Sequence, residues 1–597
     1  MSIVPMHKVA ICGPLAEKDP VIDALQRLGV MHLIPLRAAD PLAPTDAAER
    51  NRARTAFRHL VDSPEQRRPY RPGTAFNLAD IVGRIAENRR TLRRLSDRRD
   101  ELVARIGDVS LWGNVAFPAL DALGGERLWF YVLPIRQRET LDNVSLPFAI
   151  VGKDSTRLFV VVVTAEEPAA DLLPVPRTHF GAVPLHALTA ELDQLEIDLD
   201  KAKAERGELT RWRLLLGTEL ASAEDADERH DVAGKTLDTD GLFAIQGWAP
   251  SESVPAIERM AESQNLAVLA EQPTAIDKPP TLLRPRDARL GGGADLTNFY
   301  TTPAYGAWDP SFIVFTSFAI FFAMIMADAG YAAVIGLIVL WLWKRMGKTD
   351  GGRRTRVMLA AITVACLVYG VLAGSYFGVA PRPSSFLARI AIVHITNFDE
   401  MMKLSVVIGA VHVGIALVAT AWLARASAGA LVPIGWLAVI IGGLLTWLSA
   451  GSFARGGTAF FVAGLVAVFV GSAAGRPISR PTDWLLRVTD GLMGLTSITK
   501  LFGDILSYLR LFALGLASAS LAETFNGMAA GLQISRPGLG LLASLLILAF
   551  GHAINFVIGI MGGVVHGLRL NYIEFFGWGL SEEGYPFRAF AKREIPE

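Results

Sequence analysis

Two arginines lie in long apolar stretches of the chain, where a permanent positive charge needs a specific reason. Arg510 falls inside one long apolar helix predicted at residues 484–525, and Arg569 lies near the end of a second at residues 539–576. A guanidinium at the depth of the bilayer centre is costly and cannot shed its proton. Each arginine therefore needs a carboxylate or water beside it, unless its side chain reaches the interface from a helix end. That alternative is stronger for Arg569.

The residues that share a helical face with Arg510 are mostly small, which lets another helix approach closely. At helical spacing this face contains Gly503, Ser507, Arg510, Leu514, Ala517 and Leu521. It predicts contact with a partner helix that carries an acid. A second stripe predicts either a water-lined path or a polar contact between helices. Its members are Asn555, Gly562, His566 and Arg569.

Other polar residues also fall in apolar segments. Asp504 precedes Arg510 by six positions, about 240° around a helix, so it is better placed for water access than for pairing with Arg510. Glu523 is likewise off the Arg510 face. Glu574, near the end of its segment, is expected to be solvated. Three more polar residues in apolar segments are Asp328, His412 and His552. Of these, His412 is open to either a helix-contact or a relay interpretation.

Recognisable enzyme motifs are missing from the sequence. It contains no zinc-ligand spacing, catalytic triad, nucleophile elbow or nucleotide-binding loop. The two cysteines, Cys12 and Cys366, lie in apolar runs and are expected to be core thiols. The expectation is a chain without cofactor, metal or direct nucleotide binding, and without catalysis of its own.

Composition divides the chain into two parts. Of its 597 residues, 51% are hydrophobic and 19% charged, fewer charges than the roughly 25% of ordinary soluble domains. The charged residues concentrate in residues 1–302, which predicts a soluble arm fused to a membrane domain at 303–597. The formal net charge is zero, which excludes a nucleic-acid binder driven by bulk charge.

Two heptad-like runs in the arm predict an antiparallel coiled coil. Residues 77–106 and 188–221 place apolar side chains at alternating steps of three and four, with Asn88 and Arg99 filling gaps in the first run. Between them, residues 107–187 contain strand-like pieces and are expected to form a distal α/β head. Further strands are expected at residues 6–12, 31–36 and 241–248, the first two flanking a helix in a βαβ-like start. The alternative is a stack of soluble α/β modules instead of an elongated strut.

Charge sets the predicted membrane topology. Residues 311–343 are too long for one span, and the loop at residues 344–356 carries six basic residues against one Asp. The N-terminus lacks a signal peptide, so the arm and this basic loop are both expected in the cytoplasm. The segment then crosses twice, with a turn near Asp328. Arg425, Arg476 and Arg480, and the C-terminal Arg588, Lys592 and Arg593, are also expected on the cytoplasmic side. The prediction is an α-helical polytopic domain with eight transmembrane helices, the last two long and tilted, with both termini in the cytoplasm.

Several motifs together resemble the membrane stator subunit of V/A-type rotary ATPases, called subunit I or subunit a. Residues 503–517, GDILSYLRLFALGLA, are similar to that family's SYxRLxALxLA helix, and residues 566–575, HGLRLNYIEF, to its HxLRLxxxE ending. Shorter matches occur in the same order along the chain. They are GWAP at 247–250, PPT at 279–281, DP at 309–310, ADAGY at 327–331, IGAVH at 408–412 and EGYPF at 583–587.

The resemblance implies an ion-translocating stator subunit in the cell inner membrane. A ring of rotor proteolipid subunits of the c/K type carries the essential carboxylates, and Arg510 attracts each as it passes. Arg569 is carried over as a second interface or half-channel residue, and the arm docks peripheral stalks of the E/G type. The remaining half-channel candidates are Ser507, Asp504, Glu523, His566, Asn555, Glu574, Asp328 and His412.

This chain departs from the family pattern at a few positions. Glycines of the family's FGDxGYG motif are replaced by Ala327 and Ala332, and Arg284 stands where an Asn is common. The acid that many relatives carry before the HxLR motif is missing from residues 558–563, so Glu523, Asp504 or His566 is expected to serve instead. The rival interpretation is a secondary transporter or channel with a regulatory arm, although no internal repeat supports it. A membrane-anchored scaffold would leave Arg510 unexplained. The sequence leaves open H⁺ or Na⁺, and ATP synthesis or hydrolysis.

Overall fold

The computed structural model describes most of the chain. The described residues are 3–37, 44–71, 73–112, 123–169, 172–178, 183–274, 276–284, 291–393, 397–449, 451–474, 481–535, 539–580 and 582–593. They form two compact units, one built from residues 1–36 and 237–590 and the other from residues 37–236 and 591–597. The predicted cytoplasmic residues Arg476 and Arg480 lie outside the described residues.

The first unit begins with strand β1 (Met6–Pro14), helix α1 (Lys18–Leu28) and strand β2 (His32–Ile34). Helix α1 buries one face, including Val21, Ile22 and Leu25, and ends at Gly29, whose φ of 64° provides the left-handed cap typical of a helix C-terminus. The predicted strand–helix–strand start is therefore present.

The second unit combines long helices with a small antiparallel sheet. Its elements are α2 (Pro44–Val61), α3 (Leu78–Ser110), β3 (Arg127–Pro134), β4 (Phe148–Lys153), β5 (Arg157–Thr164), β6 (Arg177–Thr178), α4 (Leu185–Leu209) and α5 (Arg213–Lys235). The sheet order is β4-β5-β3-β6. Asn77 begins α3 by accepting hydrogen bonds from the amides of Ala79 and Asp80. Part of the predicted head, at residues 113–122, 170–171 and 179–182, lies outside the described residues.

Helices α3 and α4 pack antiparallel along the predicted apolar seam. Near one end Leu102 and Val109 contact Leu188, and near the other Ile85 contacts Leu209. Asn88, predicted to fill a gap in this seam, is buried and donates from Nδ2 to the Ala202 carbonyl at 2.9 Å and to the Glu205 carboxylate at 2.9 Å. The coiled-coil classification and the predicted domain bounds remain predictions.

The chain then returns to the first unit and completes its sheet with β7 (Leu237–Thr239), β8 (Leu242–Pro250), α6 (Val254–Ser263) and β9 (Ala267–Glu271). The strand order is β2-β8-β1-β9, with every pairing antiparallel and β7 joined to β8. This is the split β-α-β arrangement of ferredoxin-like folds. The predicted βαβ-like start is therefore split, because β8 lies between β1 and β2.

Apolar helices fill the rest of the first unit. They are preceded by α7 (Gly291–Tyr300) and β10 (Thr302–Pro303), which pairs with β11 (Glu583–Gly584). The helices are α8 (Ser311–Met326), α9 (Ala329–Met346), α10 (Asp350–Ala373), α11 (Phe386–Ile390), α12 (Phe398–Leu423), α13 (Leu431–Leu448), α14 (Ser452–Ala473), α15 (Pro481–Leu506), α16 (Leu509–Ser535), α17 (Leu539–Arg569) and α18 (Phe576–Gly579).

The predicted break at Asp328 is present between α8 and α9. Asp328 caps α9 by accepting from the amides of Gly330 and Tyr331. Ala327 ends α8 in the left-handed region, with φ of 47°, which costs a residue with a Cβ about 1–2 kcal/mol. Seven helical segments of the described chain are long and apolar enough to cross a membrane, and α8, with 16 residues, is shorter than these. The count of eight spans therefore stays a prediction.

The expectation of one uninterrupted helix around Arg510 was wrong. The backbone hydrogen-bonding pattern of the helix changes at Ser507 and Tyr508, between α15 and α16. There Tyr508 N donates to the Ile505 carbonyl at 3.2 Å and Leu511 N to the Tyr508 carbonyl at 3.0 Å, both across three residues instead of four. Such tightened turns often mark functional positions. Arg510 thus lies in the first turn of α16.

Candidate functional site

Arg510 has an unfilled hydrogen-bonding position. Its Nη1 atom is buried and has no hydrogen-bond partner among the described residues. The charged groups that act on it electrostatically are Arg569, which repels it, and Glu574, which attracts it. A guanidinium presents five N–H donors in a fixed plane, so an open donor in an apolar unit favours an acceptor supplied from elsewhere.

Arg569 and Glu574 meet because the helix widens between them. Residues Leu570–Phe575 form a π-helix directly after α17. In an α-helix, residues five apart lie about 140° from each other, whereas the wider π turn brings them to nearly the same side. Arg569 Nε lies 3.9 Å from Glu574 Oε1. The expectation that Glu574 is solvated was wrong, because its side chain is only 1% exposed.

His566 completes the group, which we call the arginine cluster: Arg510, His566, Arg569 and Glu574. His566 Nδ1 is buried without a hydrogen-bond partner among the described residues, and so is Glu574 Oε2. Arg510 and Arg569 both act electrostatically on the His566 imidazole. Two permanent cations therefore share one carboxylate, which leaves the cluster with excess positive charge.

A cavity extends from this cluster along the groove between α16 and α17. Its volume is about 390 Å³, and His566 lies at one end with Ser518 and Asn555 toward the other. Gly559 and Gly562, from the segment that lacks the family's acid, line it. A Cβ placed on Gly559 would lie 3.0 Å from Met326 Sδ, and one on Gly562 would lie 3.5 Å from Ile325 Cγ2. The stripe predicted from Asn555 to His566 therefore borders one continuous cavity.

The predicted contact face of Arg510 is open at the end of α15 and along α16. A Cβ placed on Gly503 meets nothing within 4 Å, and Ala517 is exposed. The opposite side of the helix is packed, since a Cβ on Gly515 comes within 2.6 Å of the Met324 carbonyl. The small residues of this face thus leave room beside Arg510.

The other candidates near the break between α15 and α16 are hydrogen-bonded. Ser507 Oγ donates to the Gly503 carbonyl at 3.0 Å, and Trp578 Nε1 donates to Asp504 at 2.7 Å. His412 Nδ1 lies 2.7 Å from the Tyr508 hydroxyl. The His412 ring stacks on Phe575 with centroids 4.3 Å apart, and its Nε2 has no hydrogen-bond partner among the described residues.

Asp328 lies away from the arginine cluster, in a turn whose donors saturate it. We call this group the Asp328 turn: Asp328, Ser375, Phe377 and Gly378. Besides capping α9, the carboxylate accepts from Ser375 Oγ at 2.6 Å, Phe377 N at 2.9 Å and Gly378 N at 2.9 Å. Five donors on one carboxylate are typical of a structural tie between loop and helix.

Asn555 belongs to a second hydrogen-bonded chain between helices. Its Nδ2 donates to the Ser518 carbonyl at 2.9 Å and to the Tyr331 hydroxyl at 3.0 Å. The Tyr331 hydroxyl also lies 2.7 Å from His552 Nδ1. Glu523 is exposed on α16. Neither Tyr331 nor Tyr508 was predicted as a site residue, although both lie inside the family-like motifs. Their hydrogen-bond partners are distant in sequence, so no local pattern reveals the contacts.

Among the described residues, no three His, Cys, Asp or Glu side chains gather as a possible metal-ligand set.

Comparisons with known proteins give relatives with one shared description. No family model matches the chain. It is 24% identical to the V-type ATP synthase subunit I of Borreliella burgdorferi, with 99% of each chain covered. It is 26% identical to V-type ATP synthase subunit I 1 of Treponema pallidum, covering 99% of this chain and all of that one.

Other matches are partial. The A-type ATP synthase subunit I of Methanocaldococcus jannaschii is 26% identical over 68% of this chain, and the alignment spans 64% of that longer relative. A crystal structure described as the cytoplasmic N-terminal domain of subunit I, homolog of subunit a, of V-ATPase matches 44% of this chain and 99% of its own, at 18% identity. Its TM-score of 0.24 supports no conclusion about the fold.

Proposed function

Because full-length relatives confirm the resemblance to subunit I of the V-type and A-type ATP synthases, we propose that this chain is the ion-translocating stator subunit of such a complex. In this proposal Arg510 faces the carboxylates of a rotor ring. The single observation that carries it is the unfilled Nη1 of Arg510 beside an open helix face. The chain itself has no catalytic role, and nucleotide chemistry belongs to other subunits.

The arginine cluster explains why Arg510 stays available to a partner. Glu574 is the carboxylate of the cluster, and it lies 3.9 Å from Arg569. With one countercharge for two guanidinium groups, Arg510 keeps excess positive charge in a region of low dielectric. Burying an uncompensated charge costs several kcal/mol. A carboxylate from a neighbouring helix removes that cost, so the cluster attracts an ionised acid.

Transport follows from this attraction. A carboxylate about 4 Å from a guanidinium gains about 4 kcal/mol at the intermediate dielectric of a protein surface. That gain favours the ionised carboxylate and releases its bound proton or metal cation. When the rotor turns the carboxylate away from Arg510, the attraction falls with distance, and the acid rebinds an ion in its apolar surroundings. Arg510 also separates the two access paths, because a fixed positive charge repels cations that would leak between them.

The two paths are proposed to lie on opposite sides of Arg510. The cavity between α16 and α17, bordered by His566 and Asn555, supplies the first. The group of Ser507 and Asp504 near the start of α16, with His412 packed behind them, supplies the second. Glu523, exposed on α16, is proposed to attract cations toward the entrance of the first. Asp328 remains a half-channel candidate from the sequence, although its five donors favour a structural role.

The second unit is proposed to dock the peripheral stalks. Its long helices α3 and α4 expose many ion-paired side chains, such as Arg98 with Glu191 at 2.7 Å. Exposed charges of both signs suit a reversible polar interface. In the same proposal the chain lies in the cell inner membrane with eight spans and both termini in the cytoplasm. The basic residues of the loop after α9 support that orientation.

A transport assay with a matched control tests the role of Arg510. Complexes containing the Arg510→Ala subunit are reconstituted into vesicles, and ATP-driven ion uptake is measured with and without an uncoupler and sodium. We expect uptake to fall at least a hundredfold while the rotor ring still copurifies. Arg425→Ala removes an exposed arginine that donates to the Trp422 carbonyl and is expected to leave uptake unchanged. Uptake at the wild-type rate by Arg510→Ala would refute the assignment.

The same vesicle preparation distinguishes the stator role from the alternative, a secondary transporter or channel. A secondary transporter or channel moves its solute without other subunits. If the purified chain alone supports solute flux in vesicles and no rotor ring copurifies with it, the stator assignment fails. If flux requires ATP and the assembled complex, the transporter alternative fails.

A further inference from the structure

A hydrogen-bonded chain of neutral side chains links three of the apolar helices near the Asp328 turn. It runs from Asn526 on α16 through His552 on α17 to Tyr331 on α9 and back to Asn555 on α17. His552 Nε2 lies 3.1 Å from Asn526 Oδ1, and His552 Nδ1 lies 2.7 Å from the Tyr331 hydroxyl. Both imidazole nitrogens are thus engaged.

The geometry fixes the direction of every hydrogen bond in this chain. Asn526 Nδ2 donates to the Phe377 carbonyl at 2.8 Å, so its Oδ1 is the acceptor that faces His552. The imidazole therefore carries its hydrogen on Nε2, and its Nδ1 accepts from the Tyr331 hydroxyl. The Tyr331 oxygen in turn accepts from Asn555 Nδ2 at 3.0 Å. A neutral His552 satisfies all of these partners at once.

The titratable groups around His552 are few. Tyr331 on α9 contacts it directly, and Asp328, which acts electrostatically on Tyr331, is held by the five donors of its turn. Glu523 lies on α16, where its amide is close to Gly378, and is exposed. Among the described residues that contact His552, the Tyr331 hydroxyl is thus the titratable group bonded to it directly.

His552 is also aligned with the arginine cluster along α17. His552, Gly559 and His566 follow one another at intervals of seven residues, which keeps them on the same side of the helix. The distance from His552 to His566 along the axis is about 21 Å at 1.5 Å per residue. The cavity with Asn555 and His566 at its two ends lies between them. His552 therefore occupies the far end of the stripe whose near end is the arginine cluster.

We propose that His552 and Tyr331 form the proton-exchanging pair at the Asn555 end of the first access path, the cavity between α16 and α17. This inference rests on the proposed function and adds that protons, not sodium ions, use this path. Hard cations such as Na⁺ need several oxygen ligands, whereas the central group here is an imidazole bonded through both nitrogens. The pair takes the place of the acid that residues 558–563 lack.

The proton balance of the exchange is simple. A proton from water binds the Tyr331 oxygen as the Tyr331 hydroxyl hydrogen passes to His552 Nδ1, which gives a neutral tyrosine and an imidazolium. The imidazolium then returns the Nδ1 proton to the Tyr331 oxygen as the Tyr331 hydroxyl hydrogen passes back to water, which restores the neutral imidazole with its hydrogen on Nε2. One proton is taken up and one is released, so the pair exchanges protons with water at this end of the path. Asn555 positions the Tyr331 oxygen for both steps.

The test compares substitutions in the assembled complex, reconstituted into vesicles. His552→Gln keeps hydrogen-bonding atoms but cannot titrate, and Tyr331→Phe removes the hydroxyl while keeping the ring. We expect each to lower ATP-driven proton uptake at least tenfold, and His552→Gln to abolish the dependence of uptake on pH at the side of the Asp328 turn. The matched control is Ser544→Ala, which removes a different buried hydrogen bond between α17 and α16, to the Ala529 carbonyl at 2.7 Å. It is expected to leave uptake and its pH profile unchanged.

The outcomes separate this inference from the proposed function. If Arg510→Ala abolishes uptake but both His552→Gln and Tyr331→Phe keep the wild-type rate and pH profile, the exchange pair is refuted and the stator assignment stands. If Arg510→Ala itself pumps normally, both fail. If His552→Gln does not assemble with the rotor ring, Tyr331→Phe alone decides, and uptake at the wild-type rate by that variant overturns the proposal.

Discussion

The arginine cluster and the Asp328 turn treat buried charge in opposite ways. In the turn, one carboxylate receives five hydrogen bonds and ties a loop to the start of α9. In the cluster, Arg510 Nη1, His566 Nδ1 and Glu574 Oε2 are all buried without a hydrogen-bond partner among the described residues. Buried polar groups are normally hydrogen-bonded, because each one left without a partner costs about 1–3 kcal/mol of folding free energy. The carboxylate of the Asp328 turn is thus fully hydrogen-bonded, whereas the charged groups proposed to face a rotor keep open hydrogen-bonding positions.

Removing the saturated carboxylate is expected to have the largest effect on stability. Asp328→Ala leaves several buried donors without an acceptor and should cost on the order of 4 kcal/mol. The measurement is the thermal melting temperature of the purified chain in detergent, together with its yield. Asp328→Asn, whose Oδ1 still serves three of the amides, should fall between wild type and Asp328→Ala. A stable Asp328→Ala protein that lacks only ion uptake would contradict the contrast and restore Asp328 as a half-channel residue.

Removing the negative charge of Glu574 tests the arginine cluster in the same way as the Asp328 variants test the turn. Glu574→Gln keeps the shape of the side chain and removes the charge that offsets Arg569. We expect little loss of melting temperature and a decrease of about tenfold in ATP-driven uptake, because the extra positive charge holds the rotor carboxylate too tightly. Glu583→Gln, in the exposed strand β11, is the control and should pump normally. A large drop in melting temperature for Glu574→Gln alone would assign it to the fold.

Two buried tyrosines test whether a hydrogen-bonded hydroxyl contributes more to stability than one without a partner. The Tyr508 hydroxyl bonds His412 at 2.7 Å, whereas the Tyr369 hydroxyl is buried without a hydrogen-bond partner among the described residues. Tyr508→Phe should destabilise the chain by about 1 kcal/mol, and Tyr369→Phe should be neutral or stabilising. Detergent melting curves of both variants provide the measurement. Equal losses for both would show that the hydrogen bond does not matter.

The smallest effect is expected in the second unit, where water reaches the polar contacts. Burial, and then the nearby Arg206 guanidinium, lower the pKa of His59 below its ordinary value. The unfolded chain therefore binds a proton at a pH where the folded chain does not, so the contact between α2 and α3 weakens as pH falls below about 6.5. Hydrogen exchange of α2 and α3 amides in the full chain, between pH 7 and 5.5, measures this. The His59→Gln variant should flatten the pH dependence.

Local sequence patterns predicted much of the fold and failed at identifiable points. The heptad seam placed Asn88 correctly between α3 and α4, and the basic loop at 344–356 with the Asp328 break predicted two helices within residues 311–343. Strand β8 was expected, but its insertion between β1 and β2 was not, because pairing partners more than 200 residues apart leave no local trace. Apolar composition likewise hides the tightened turn at Ser507 and Tyr508.

Prediction of the candidate site from the sequence was limited in the same way. The sequence identified every member of the arginine cluster as a candidate, since charged residues in apolar segments are conspicuous. It misjudged Glu574, because the α-helical period points that side chain away from Arg569 and only the π turn brings the two together. It gave no role to Tyr331 or His552, whose contact joins α9 to α17. Neither helix alone contains the information that the two residues meet.

A density map of the assembled complex tests the central claim most directly. The claim predicts that, at one position around the ring, the Arg510 guanidinium lies within about 4 Å of a carboxylate from a rotor helix, or one water away, with Glu574 still beside Arg569. A map in which Arg510 faces lipid at every ring position, or pairs with Glu574 and leaves no room for an outside helix along Gly503 and Ala517, would contradict it.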